Sequence, residues 1–112
     1  RGFVALRLDD AQLAALEAAR AASARFFAEA GAEVKQLCSH CGPQRHADFP
    51  ALALHGLGYL TTPEYGGREQ FHTIRGALAL CRWPDEAFRE AFERGADVLQ
   101  QVCLDLLERV DA

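Results

Sequence analysis

The clearest hydrophobic pattern lies in the last third of the chain, after Pro84 and Asp85. Apolar residues recur there with helical period over six turns, at Phe88, Ala91, Phe92, Val98, Leu99, Val102, Cys103, Leu106 and Val110. The opposite face is charged or polar, with Arg89, Glu90, Glu93, Arg94, Asp97, Gln100, Asp105, Glu108 and Arg109. The pattern predicts a long amphipathic helix whose apolar face lies in the core or serves as a docking surface for a further domain.

A strand followed by a helix is predicted at the start of the chain. Residues 2–8 are apolar on both faces until Arg7, which is typical of a short strand inside a layered structure. Asp9 is a suitable N-cap, and Gln12 completes a capping box for a helix from about Asp10 to about Ala30. Half of residues 11–32 are alanine, and small side chains dominate the expected buried stripe, which allows close packing against a neighbour. That stripe is Leu16, Ala19, Ala22, Phe26 and Ala30.

The middle of the chain has a different character. Gly31 ends the helix or precedes a further turn through Val34 and Leu37. Residues 38–76 hold six glycines and three of the four prolines and show no sustained helical period. Short extended pieces are expected around residues 58–60 and 71–74, with turn chemistry at residues 63–67 between them. The predicted fold class is α+β, mostly helical, with an irregular middle.

Length and charge restrict the possible functions. A chain of 112 residues is one domain, and because its first residue is Arg we expect the natural chain to begin earlier. With 12 Lys plus Arg against 16 Asp plus Glu, the formal charge of −4 predicts no nucleic-acid partner. No apolar run is long enough for a bilayer span, so no membrane partner is expected. Four cysteines are too few for a disulfide scaffold, which indicates a reducing compartment and a cytoplasmic location.

The cysteines and histidines offer two weak metal hypotheses. Cys38, Cys41, His46 and His55 have ligand types suited to tetrahedral zinc, but a single Cys-x-x-Cys without a second pair favours thiols and imidazoles on a surface loop. A redox pair is disfavoured because Cys38 follows a helix, whose dipole opposes a thiolate. Cys81 and Cys103 are predicted to be small buried hydrophobes.

His46-Ala47-Asp48 matches the bare His-x-Asp spacing of a two-His-one-carboxylate iron site. It lies outside any predicted strand, and no later helix position supplies the second His. There is also no nucleophile elbow and no phosphate-binding glycine loop. We therefore predict no catalytic, cofactor-binding or metal-binding residue in this chain.

Several short motifs occur in an order that resembles a known family. They are Gly2-Phe3-Val4-Ala5-Leu6, Phe26-Phe27, Lys35, Gly58-Tyr59, Gly66 to Glu69 with Phe71, Trp83-Pro84 and Phe88-Arg89. The order resembles the N-terminal region of the 2-oxoglutarate/Fe(II)-dependent dioxygenase superfamily of the isopenicillin N synthase type. The resemblance spans nearly the whole chain, although the stretch from Lys35 to Gly58 is longer than usual for the family.

The resemblance implies a non-haem iron oxidoreductase as the parent protein, with Fe(II) and 2-oxoglutarate bound in a double-stranded β-helix domain beyond Ala112. This chain would then be the front part that packs on that domain and shapes the substrate mouth, without activity of its own. Its partner would be the absent β-helix domain or another protein surface. The alternative is a non-enzymatic helical interaction module, with or without a small zinc site at the Cys-x-x-Cys loop.

Overall fold

The computed structural model describes residues 2–40, 57–62 and 66–111, and every structural statement below refers to those residues. Helix α1 spans Asp10–Glu29, α2 spans Ala32–Cys38 and α3 spans Glu86–Asp111. The strands are β1, Ser39–His40, β2, Leu57–Thr62, and β3, Arg68–His72, and a 3₁₀ turn covers Leu78–Leu80. The predicted fold class, α+β and mostly helical, is confirmed.

The described residues fall into two compact units. The first combines the described parts of residues 1–25 and 86–112, and the second takes in those of residues 26–85. The first unit contains most of α1, all of α3 and the non-helical residues 2–9, whereas the second contains the last turn of α1, α2, the strands and the 3₁₀ turn.

The start of α1 has the predicted capping box. The Gln12 backbone N–H donates to Asp9 Oδ1 at 2.8 Å, and the Asp9 backbone N–H donates to Gln12 Oε1 at 3.0 Å. These two bonds satisfy backbone donors that the first turn of a helix leaves without an intrahelical partner. The local sequence thus determines where α1 begins.

The predicted strand at residues 3–8 is wrong. Residues 2–9 form neither helix nor strand, and the side chains of Phe3 and Val4 are 89% and 57% exposed. A strand needs a hydrogen-bonded partner, and the sheet of the described residues consists of β1, β2 and β3 instead. Apolar alternation alone did not identify which segments pair.

Small residues bring α1 and α3 close together in the first unit. A Cβ atom added at Gly95 of α3 would lie 2.6 Å from the Cβ of Ala19. Ala15 and Ala22, which lie on the same side of α1, are each 7% exposed. This confirms the prediction that the alanine stripe permits a close approach.

The apolar face of α3 is buried at Phe88 and contains strongly exposed residues towards the C-terminal end of the helix. Phe88 is 2% exposed and stacks on Phe92 with a centroid distance of 5.8 Å. Farther along, Leu99 is 55% exposed and Val110 is 72% exposed, and Cys103 is also exposed, so a core location for these three is wrong. Periodicity identified the face, but a neighbouring element covers only part of it.

The second unit contains an antiparallel sheet in the order β1-β2-β3. Ser39 pairs with Gly58, and β2 pairs with β3 from Gly58↔His72 to Thr62↔Arg68. The extended piece predicted around residues 58–60 lies within β2, whereas the one predicted at residues 71–74 overlaps β3 only at Phe71 and His72, because β3 begins earlier, at Arg68. Gly58 has a φ of +74°, and an added Cβ would lie 1.9 Å from the Cys38 carbonyl oxygen, so glycine is required where β2 meets the end of α2.

Candidate functional site

The most connected group of polar side chains in the second unit is centred on Lys35 of α2. Its Nζ donates to the Phe27 carbonyl oxygen at 3.0 Å, in the last turn of α1. The last carbonyls of a helix lack intrahelical donors and favour a nearby cation, and the last turn of α1 carries no basic residue. Lys35, which belongs to the next helix, therefore supplies the positive charge that the last turn of α1 lacks.

Glu69 of β3 and Tyr59 of β2 complete a hydrogen-bonded triad with Lys35. Lys35 Nζ lies 2.7 Å from Glu69 Oε1, and the Tyr59 hydroxyl donates to the same oxygen at 2.8 Å. In the register Tyr59 faces Phe71 and Glu69 faces Thr61, so Tyr59, Glu69 and Phe71 lie on one face of the hairpin. The triad thus connects the end of α1 and α2 to β2 and β3.

An aromatic cluster surrounds this triad. Phe26 makes edge-to-face contacts with Phe27, Tyr59 and Phe71, at centroid distances of 5.4, 6.2 and 5.6 Å. Phe71 stacks on Trp83 at 5.7 Å, and Lys35 Nζ lies 5.7 Å from the centre of the Tyr59 ring. Such contacts stabilise the folded state by more than the burial of apolar area alone would do. We call these seven residues the clasp cluster: Phe26, Phe27, Lys35, Tyr59, Glu69, Phe71 and Trp83.

The electrostatics of the clasp cluster stabilise a fixed protonation state near neutral pH. The hydrogen bond from Lys35, then the one from Tyr59, lowers the pKa of Glu69 below its ordinary value of 4.5. The hydrogen bond to Glu69 and then partial burial raise the pKa of Tyr59 above 10.0. Glu69 therefore remains a carboxylate and Tyr59 a neutral phenol across the physiological range. A general acid or base needs a pKa near the working pH, so this triad is suited to holding structure.

Two of the three described cysteines lie in environments other than those predicted. Cys38 is 2% exposed at the end of α2, so its prediction as a surface-loop thiol is wrong. Burial, and secondarily the negative charge of Asp85, raises the pKa of its thiol above 9.0, which disfavours the nucleophilic or metal-binding thiolate. Cys81 is buried as predicted, whereas Cys103 is exposed and its predicted burial is wrong.

Both metal hypotheses concern residues between Cys38 and His55. Cys41, His46, Asp48 and His55 lie outside the described residues. Within the described ranges, no three His, Cys, Asp or Glu side chains converge as a metal site would require. Among the described helices, none combines the length and the hydropathy that a bilayer span requires.

Sequence reasoning identified the members of the clasp cluster only one by one, as parts of separate short motifs. It did not predict that Lys35 and Glu69, 34 positions apart, form an ion pair. The missing basic residue at the end of α1, followed by a lysine in a short second helix, is a signal that could have pointed to Lys35 as the cap. Comparison with protein-family models, with curated proteins and with solved structures finds no match to this chain.

Proposed function

We propose that this chain is the N-terminal structural and substrate-mouth region of a 2-oxoglutarate/Fe(II)-dependent dioxygenase-like protein, and that it is not catalytic by itself. In this proposal a β-helix domain downstream of Ala112 binds the iron and the 2-oxoglutarate. The observation that carries the proposal is the clasp cluster: residues from five separate motifs of the resemblance come into contact in one place. This contact supports the proposal, because it gives the separate motifs one shared structural role.

The clasp cluster also gives those motifs a physical role. Lys35 ties the end of α1 to the hairpin through Glu69, and the aromatic rings fill the space between them. A region that helps to shape a substrate mouth needs its loops and strands held in fixed positions. In the proposal the clasp cluster provides that rigidity, while the chemistry belongs to the other domain.

Exposed apolar residues on α3 support the need for a further protein surface. Leu99, Leu107 and Val110 are 55%, 57% and 72% exposed. Large apolar side chains grouped on one helix are typical of a surface that a partner covers. In the proposal that partner is the downstream domain.

The proposal is tested by the sequence of the natural gene beyond the codon for Ala112. We expect a His-x-Asp motif followed roughly 50 residues later by a second His and then an Arg, as an iron and 2-oxoglutarate site of this type requires. A coding sequence that ends shortly after Ala112, or continues without these residues, would refute the proposal.

A second candidate function is a non-enzymatic helical interaction module, and the same exposed leucines favour it. The two proposals differ in what covers α3. If the module binds a separate protein, Leu107→Asp weakens that association and leaves any oxygenase activity of the natural protein unchanged. If a catalytic domain covers α3, the same substitution lowers both the stability and the turnover of the natural protein.

A further inference from the structure

A pocket of about 470 Å³ lies in the first unit, between the segment that precedes α1 and the last turns of α3. Leu6, Leu8, Val102 and Leu106 give it an apolar wall. Three of these side chains are half-buried, and Leu6 is 44% exposed. The volume falls within the roughly 300–1,000 Å³ typical of small-molecule pockets.

The charged residues that line this pocket differ in whether they already have hydrogen-bond partners. Asp9 Oδ1 already accepts the Gln12 N–H, and Asp105 Oδ1 accepts from the Gln101 amide at 2.8 Å. Arg7 and Arg109 also line the pocket. Neither one is in an ion pair or hydrogen bond within the described part of the chain.

The two arginines and the apolar wall together favour one class of ligand. The two carboxylates are too few for a divalent cation, which requires more oxygen ligands. A guanidinium presents a planar fork of donors that matches a carboxylate with two parallel hydrogen bonds. The apolar wall beside the two arginines suits a hydrocarbon chain.

We propose that this pocket binds a small amphipathic monocarboxylate, with the carboxylate held by Arg7 and Arg109 and the hydrocarbon chain lying against Leu8, Val102 and Leu106. The site lies in the first unit, whereas the observation that carries the proposed dioxygenase function lies in the second. Failure of one proposal therefore leaves the other intact.

The test uses the 112-residue chain and octanoate. An amide-resolved NMR titration, at octanoate concentrations below micelle formation, should give saturable shifts at residues 5–12 and 102–109. We expect a dissociation constant on the order of 1 mM, because a ligand of this size in a partly open pocket gains little free energy per atom. Arg7→Gln and Arg109→Gln should each weaken binding about threefold to tenfold, since each removes a solvent-accessible ion pair.

Two controls isolate the carboxylate and the pocket. Arg94→Gln changes an exposed arginine of α3 that does not line the pocket, and it should leave the octanoate affinity unchanged. The alcohol 1-octanol has the same chain without the carboxylate and should bind more weakly. Equal affinity for 1-octanol, equal loss in Arg94→Gln, or shifts that do not saturate would each overturn the proposal.

Discussion

The two compact units are stabilised by different kinds of contact. In the first unit, α1 and α3 approach through small side chains, with Gly95 against Ala19, and large apolar residues such as Leu99 remain more than half exposed. In the second, a short sheet, an aromatic cluster and the hydrogen bonds of Lys35 connect every element from the end of α1 to Trp83. Among the described residues of the second unit, polar and aromatic contacts link the end of α1, α2, β2 and β3, whereas the first unit has large apolar side chains exposed along α3.

This difference predicts that the second unit is the more sensitive to single backbone changes. Among the backbone changes, Gly58→Ala should have the largest effect, a loss of more than about 3 kcal/mol in the free energy of unfolding, because it combines a positive φ with backbone overlap. The new Cβ would lie 1.9 Å from the Cys38 carbonyl oxygen. Urea denaturation measures this loss.

Gly66→Ala is the matched control for that substitution. Gly66 has nearly the same φ, +72°, but no atom lies within 4 Å of an added Cβ. We expect a loss of only about 1–2 kcal/mol, from the backbone conformation alone. Equal losses for the two variants would contradict the close contact between β2 and the end of α2.

Truncation of the apolar face of α3 should separate its buried half from its exposed half. Phe88→Ala removes a side chain that is 2% exposed and should cost about 3–5 kcal/mol. Leu99→Ala, at a position that is 55% exposed, should cost less than about 1 kcal/mol in the same chain. Phe92, half-buried and stacked on Phe88, should fall between them. Similar denaturation midpoints for Phe88→Ala and Leu99→Ala would contradict the division of this face.

Gly95→Ala tests the close approach of α1 and α3, because the sign of its effect on stability depends on whether there is room for an added methyl group. In an exposed helix this change normally stabilises by roughly 1 kcal/mol. Here the added methyl group would lie 2.6 Å from the Ala19 Cβ, so we expect a net loss of about 1–3 kcal/mol from overpacking. Thermal denaturation gives the sign directly, and a higher melting temperature would show that α1 and α3 have room to separate.

The smallest effect expected is the pH dependence of the clasp cluster. The folded pKa of Glu69 is lowered, so its contribution to stability is present above 4.5 and is lost as the pH falls through the folded pKa. Glu69→Gln should therefore be less stable than the parent chain at neutral pH and approach it below pH 4.5. Glu33→Gln, at an exposed position of α2, is the control and should change the free energy of unfolding at neutral pH by less than about 0.5 kcal/mol. Parallel stability curves for the parent chain and Glu69→Gln would contradict the ion pair.

Local features of the fold could be predicted from the sequence, and long-range ones could not. The capping box of Asp9 and Gln12 depends on residues three positions apart, and β2 and β3, which pair with each other, are close together in the chain. The bond between Lys35 and Glu69 depends on which elements meet, which periodicity does not specify. The same limit explains the errors at residues 3–8 and at Cys103, because burial and strand pairing require a partner that the local pattern does not identify.

The proposed role of this chain, the non-catalytic N-terminal region of an oxygenase, is tested most directly by measuring the succinate formed from 2-oxoglutarate. The natural protein and the 112-residue chain are assayed side by side, with Fe(II) and ascorbate supplied. We expect succinate from the natural protein and none from the 112-residue chain. Succinate production by the 112-residue chain alone, or its absence from both, would be incompatible with this proposal.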